Sequence, residues 1–246
     1  MDIFLNFLEK IKLYHRAERY RNRHDKGGIN FLVSSIRKGQ TAMDIGAHKA
    51  GYTYWMINQV KNTGMVYAFE PQLHLYNYIS RIKDLYKWDN LKIENLALSD
   101  EIKTTILNIP HKPGKKSSTG ATIVENEVSR STGSTEKVKT ETLDSYCNRN
   151  KIKPDFLKID VEGNELRILR GGTNTLINCK PKILVEIEAR CAGIERVFET
   201  FEFLGSLGYS GHFIQGSKRI PLALFSLDKN QNLKNMKNYC NNFTFE

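Results

Sequence analysis

The chain has 246 residues, of which 40% are hydrophobic and 26% charged, and carries a net charge of +10. This length fits one sizeable α/β core better than two domains, and a composition so close to ordinary globular values excludes disorder along the whole chain. The basic surplus would suit an anionic partner, but the lysines are spread along the sequence. There is no block interleaved with aromatics of the kind a single-strand groove needs, so nucleic acid is a disfavoured partner.

Four cysteines, Cys147, Cys179, Cys191 and Cys240, form neither a C-x-x-C pair nor a zinc spacing, which points to a reducing compartment and no structural metal. No apolar run approaches the roughly 18 residues of a membrane span, and the first residues lack the uninterrupted apolar core of a signal peptide. A cytoplasmic protein is expected.

Residues 2–24 have the pattern of an amphipathic helix: Ile3, Phe4, Phe7, Leu8, Ile11 and Tyr14 recur at helical spacing, Arg16, Arg19, Arg21 and Arg23 follow, and Gly27-Gly28 ends it. Residues 1–40 are therefore an N-terminal helical extension and residues 41–246 the main domain. The apolar stripe is expected to pack on its own domain or on a second subunit. The alternative is a peripheral membrane contact, with the arginines on anionic headgroups.

From residue 41 onward short apolar runs alternate with helical patterns, the mark of βαβ units and a doubly wound, mostly parallel sheet. Thr41–Ile45, Met65–Phe69 and residues 91–98, 156–161 and 183–187 are the expected strands. Helices between them carry Tyr52, Trp55, Met56 and Val60 on one face, then Leu75, Ile79, Ile82 and Tyr86. A further helix over 164–170 stops at Gly171-Gly172, and another carries Ile194, Val197, Phe198, Phe201 and Leu204 before Gly208.

Residues 101–141 break the alternation. Runs at 104–109, 119–124 and 136–140 are short strands separated by Lys-, Gly- and Ser-rich turns, an inserted β-meander whose segment 111–122 (HKPGKKSSTGAT) is expected to form a mobile lid. The asparagine-rich stretch 228–242 is expected to wander on the surface, and Phe243 and Phe245, alternating with polar neighbours, to return as an edge strand.

The segment Asp44 to Gly51 (DIGAHKAG) joins the first strand to the first helix of the sheet, where an open α/β sheet binds its ligand. Gly46 clears the backbone for close approach and Gly51 opens a helix whose free N–H groups suit an anion. Asp44, Ala47 and His48 complete the loop, and Thr53 follows it. A Walker A loop would need Gly-Lys-Ser/Thr where Gly51-Tyr52-Thr53 stands, and a dinucleotide fingerprint would need a middle glycine where His48 stands. A ligand without a pyrophosphate tolerates that side chain. Glu70, 24 residues after Gly46 at the end of VYAFEP, is placed to accept hydrogen bonds from both ribose hydroxyls, and Ala97 in NLALSD leaves room for an adenine plane. The run FLKIDVEGNE brings Asp160 and Glu162 to the same crevice, and ILVEIE sets Glu186 inside an apolar run.

Taken in order, DIGAHKAGYT, VYAFEP, NLALSD, ETLDSY, LKIDVEGNELRILRGG and ILVEIE resemble the FkbM family of S-adenosylmethionine-dependent methyltransferases over about residues 40–190. His48 departs from the family's usual asparagine. The resemblance implies a class I methyltransferase (Rossmann-like) sheet of seven strands with the last antiparallel, S-adenosylmethionine as cofactor, and O-methylation of a sugar, glycan or natural-product hydroxyl. An unactivated hydroxyl needs a base, for which Asp160 is the first candidate with Glu162 and Glu186 in support. Alternatively Asp160 holds the cofactor's ammonium and Glu162 pins its loop. Three converging carboxylates would suit a divalent ion, but none is expected. A nicotinamide-dependent oxidoreductase and an RNA methyltransferase are the rival readings. The oxidoreductase lacks its middle glycine, and DVEG stands where RNA base methylation often uses Asn-Pro-Pro-aromatic.

Overall fold

The computed structural model describes residues 2–110, 120–124 and 133–246. The N-terminal helix α1 (Asp2–Arg19) runs into a π-helical turn, Tyr20–His24, and is followed by α2 (Lys26–Ser35). Gly27 and Gly28 thus start a helix rather than ending one. Asp25 caps α2 by accepting the Gly28 N–H at 2.9 Å, and a Cβ on Gly27 or Gly28 would strike Ile214 or Tyr52, so the pair is selected for close packing. The stripe of α1 packs on its own domain. Leu13 and Ala17 are fully buried, Trp55 Nε1 donates to the Ala17 carbonyl at 3.0 Å, and Tyr86 donates its hydroxyl to the Lys10 carbonyl at 2.8 Å. Ile3 and Phe4 of the expected stripe lie outside the described side chains.

The alternating region folds as expected through β1 (Thr41–Ile45), α3 (Gly51–Val60), β2 (Met65–Phe69), α4 (Leu73–Tyr86) and β3 (Leu91–Glu94). The single strand expected over 91–98 is two. After Glu94 the chain bends, and β4 (Ala97–Ser99) joins a second sheet. Asn95 fixes the bend by donating its amide to the carbonyls of Glu70 at 3.0 Å and Pro71 at 2.8 Å.

The expected meander is β5 (Lys103–Pro110), β6 (Thr122–Val124) and β7 (Gly133–Thr142), which with β4 form a four-stranded sheet ordered β4-β7-β5-β6. Residues 111–119 of the expected lid lie outside the described residues. Helix α5 (Leu143–Asn150), capped by Thr142, leads to β8 (Phe156–Ile159). Then come α6 (Glu165–Arg170), α7 (Thr173–Cys179), β9 (Lys182–Glu186), α8 (Ala189–Ala192) and α9 (Ile194–Ser206). The chain ends with β10 (Gly211–Gln215), β11 (Lys218–Pro221), α10 (Leu227–Asn230) and β12 (Asn242–Phe245).

The main sheet has the order β11-β10-β12-β9-β8-β1-β2-β3, eight strands rather than seven because β11 folds back on β10 as a hairpin. The five strands from β9 to β3 run parallel, and β12 lies antiparallel between β9 and β10. The expected edge strand at Phe243 and Phe245 is therefore interior. Asn242 and Thr244 are buried as well as the two phenylalanines, so what reads as a one-faced edge is covered on both faces. The helices before β3 cover one face of the sheet and those after β7 the other, giving two apolar cores. Among the described residues no helix is long and apolar enough to cross a membrane.

Candidate functional site

At the carboxyl ends of β1, β2 and β8 the sheet opens into a cleft. Its wall at β1 is the Asp44–Gly51 loop. Gly46 has φ +86, and a Cβ there would fall onto the Asp160 carbonyl, so only glycine closes this junction between β1 and β8. The N–H groups of Gly46 and Ala47 are tied to the Phe69 carbonyl at 3.0 Å, and His48 and Ala50 take left-handed conformations that turn the chain into α3. Behind the loop, Asp44 is 1% exposed and accepts the Thr53 hydroxyl at 2.5 Å. Thr53 is thus a fully buried brace for Asp44 and does not reach the cleft.

Glu70 is 2% exposed but lines the cleft. Its carboxylate accepts the His48 N–H at 2.8 Å and the Gln72 N–H at 3.0 Å, which fixes it across the mouth of β2. Burial outweighs those two bonds and pushes its pKa up to about 7. Burial, with Lys49 next in effect, lowers His48 to about 4, so its imidazole is neutral. Its Nε2 is buried with no hydrogen-bond partner among the described residues. The lining continues through Ala97, Leu98 and Leu107 to Gly120, Ala121 and Ile123, so the second sheet supplies an apolar wall.

The opposite side belongs to β8. Asp160, 36% exposed, takes its N–H to the Ile45 carbonyl and lines the cleft together with Glu162 and Asn164. Glu162 is held at φ +55, and burial followed by repulsion from Asp160 raises its pKa. Cys191 donates its thiol to Glu162 at 3.3 Å. Glu186 is not among the cleft-lining residues. It sits on the sheet face beside Asp160 and accepts the Asn241 amide at 2.6 Å. Burial first, and Asp160 next, push it well above the usual carboxylate range. Among the described residues no group of three or more His, Cys, Asp or Glu is arranged to hold a metal ion.

Several lining residues carry no signal in the sequence, among them Asn164, Leu107, Lys158, Arg16 and Tyr20. Lys158 is buried at the cleft floor beside Asp160. Arg16 and Tyr20 come from the N-terminal segment. Arg16 donates to the Lys49 carbonyl and the Tyr78 hydroxyl at 3.0 Å, and the Tyr20 ring occupies the space that a Cβ on Gly51 would take.

A family model described as the methyltransferase FkbM domain matches residues 44–210, more than half of the chain. The chain belongs to the FkbM methyltransferase family. Among solved structures, the FkbM methyltransferase from Methylobacillus flagellatus KT is similar with a TM-score of 0.55 at 14% identity, covering 100% of this chain and 60% of that one. This chain therefore spans 60% of that protein's length. An O-methyltransferase from Bacillus cereus in complex with SAH gives a TM-score of 0.50 at 12% identity, covering 96% of this chain and 88% of that one. Fibrillarin from Aeropyrum pernix, with natively bound S-adenosyl-L-methionine, gives 0.50 at 8%, covering 86% and 67%. At such identities the likeness is one of fold, the class I methyltransferase sheet. No curated protein sequence matches the chain.

The residues present fit S-adenosylmethionine, the cofactor that the resemblance implies. The cleft-facing Glu70 carboxylate offers a polar group to a nucleoside, while Ala97, Leu107 and Ala121 offer an apolar slot.

Proposed function

We propose that this FkbM methyltransferase is an O-methyltransferase that acts on a hydroxyl of a sugar, a glycan or a small natural product. The observation that carries the reading is Asp160: a partly exposed carboxylate at the end of β8, ion-paired to Lys158 at 3.2 Å, in the cleft that Glu70 lines from β2. S-adenosylmethionine supplies an electrophilic methyl group on a sulfonium. Glu70 accepts the ribose hydroxyls, and the apolar wall at Ala97 and Leu107 takes the adenine. Glu162 and Asn164 would hydrogen-bond the hydroxyls that flank the reacting one, and Asp160 would take up the acceptor hydroxyl's proton as the methyl passes from sulfur to the acceptor oxygen and the demethylated thioether leaves. The second sheet and Tyr20 keep water from the reacting atoms. Support against a dinucleotide comes from His48, whose side chain stands where a pyrophosphate would need a bare backbone.

The test is methyl transfer from labelled S-adenosylmethionine to methyl glycosides, hydroxylated aglycones and RNA. Label is expected on the glycosides or aglycones; label on RNA alone overturns the reading. On the acceptor so identified, Asp160→Asn is expected to lower kcat by about a hundredfold or more, far more than it lowers cofactor affinity. Normal turnover with weakened cofactor binding would instead assign Asp160 to the methionine moiety.

A further inference from the structure

Lys158 lies in the middle of β8, a strand buried along its whole length, and is 2% exposed. An ammonium so far from water is costly unless carboxylates surround it. Four do, each from a different place in the chain. Asp160 follows β8, with Oδ2 3.2 Å from Nζ. Asp44 is the register partner of Lys158 on β1. Asp25 reaches in from the turn before α2, where it accepts the Tyr52 hydroxyl, and Glu186 ends β9. Tyr52 of α3 closes the group with its ring 4.8 Å from the ammonium. Burial opposes the charge, yet the pull of Asp160, Glu186, Asp44 and Asp25 raises the Lys158 pKa. Burial also raises Asp25, Asp44 and Glu186, so these acids resist ionising. Lys158 thus serves four acids, and it touches Asp160, which is far more exposed to the cleft than Asp44.

We propose that Lys158 is a charge-balancing positioning residue: its ammonium fixes the Asp160 carboxylate at the cleft floor and offsets the surrounding acids, which sets how strongly the cleft prefers the cationic methyl donor over its demethylated product. The product differs from the donor only by the methyl group and the sulfonium charge lost with it, so a change in the ratio of the two affinities between variants reads the field at the floor. Without Lys158 the Asp160 carboxylate would face the donor without its counter-charge and hold it too tightly in the ground state, which slows a reaction that disperses the sulfonium charge. The inference rests on the reading that Asp160 faces the transferring methyl, and does not require it to act as a base.

The experiment is calorimetry with S-adenosylmethionine and S-adenosylhomocysteine on the wild type, Lys158→Met, Asp160→Asn and the double variant. A unit charge acting across about 8–17 Å at an effective dielectric near 20 changes such a ratio by about five- to thirtyfold. Lys158→Met is expected to raise the preference for the donor by at least about fivefold, Asp160→Asn to lower it by a similar factor, and the double variant to return within about threefold of wild type. An unchanged preference in folded Lys158→Met overturns the proposal. So does an unchanged preference in Asp160→Asn, which would show that Asp160 is not the group Lys158 balances. If Lys158→Met does not fold, Asp160→Asn and the charge-keeping Lys158→Arg carry the test: a lowered preference in the first with a near wild-type value in the second supports the proposal, and any other pair of results overturns it. Failure of the base reading is seen separately, as normal turnover in Asp160→Asn.

Discussion

Glu70 shows how one buried carboxylate couples cofactor binding to pH. Its pKa is pushed up to about 7 by burial, from an ordinary value of 4.5. A folded state that keeps a proton the unfolded chain has released loses stability as pH rises through that interval, so in the free protein this group costs stability from about pH 4.5 to 7 and the full cost remains above it. If Glu70 holds the ribose as proposed, binding has the opposite sign, because only the ionised carboxylate can accept from both hydroxyls. Affinity for S-adenosylhomocysteine is expected to strengthen by up to about tenfold between pH 6 and pH 8, and Glu70→Gln to bind more weakly without that step. Calorimetry at the two pH values checks it; a Glu70→Gln variant that keeps the step assigns it elsewhere. Gly46, Glu70 and Asp160 are legible in the sequence because glycine-to-helix spacing and acids at strand ends are local signals. Lys158 is not. A lysine between Leu157 and Ile159 carries no periodic mark, and only the register with Asp44 and the nearness of Asp25 and Glu186 show what it neutralises.

At the level of elements, α1 was legible as an amphipathic helix, but its contribution to the cleft was not, since Arg16 and Tyr20 precede the glycine loop by about thirty residues. The π-helical turn is what directs Tyr20. Its carbonyl accepts the Asp25 N–H at 2.9 Å, five residues on, and the missing side chain of Gly51 admits its ring. Leu13→Ala is expected to cost about 2–4 kcal/mol, because the residue is fully buried against the rest of the domain. It should also weaken cofactor binding by loosening Arg16 and Tyr20 on the same segment. Denaturant unfolding and calorimetry on one preparation test both, and wild-type stability would make α1 an appendage. The division of 91–98 into β3 and β4 was hidden for a different reason: both halves carry apolar residues, and the bend depends on an Asn95 bond to the end of β2, distant in sequence.

For the whole molecule, alternation of apolar runs and helices gave the parallel half of the sheet, since each βαβ unit is a nearly local structure. The other half depends on long-range pairing. β12, residues 242–245, lies between β9 and β10, so the sheet is completed by a segment beyond residue 210, where the family match ends. The resulting cleft at the carboxyl ends of β1, β2 and β8, with a histidine where a dinucleotide site keeps glycine, is built for a nucleoside that has no pyrophosphate. The most direct test is calorimetry of the wild-type protein with S-adenosylmethionine, S-adenosylhomocysteine and a nicotinamide dinucleotide under one buffer condition. The account predicts one-to-one binding of the first two and no measurable heat from the dinucleotide. Tight dinucleotide binding with no response to either adenosyl ligand would contradict it.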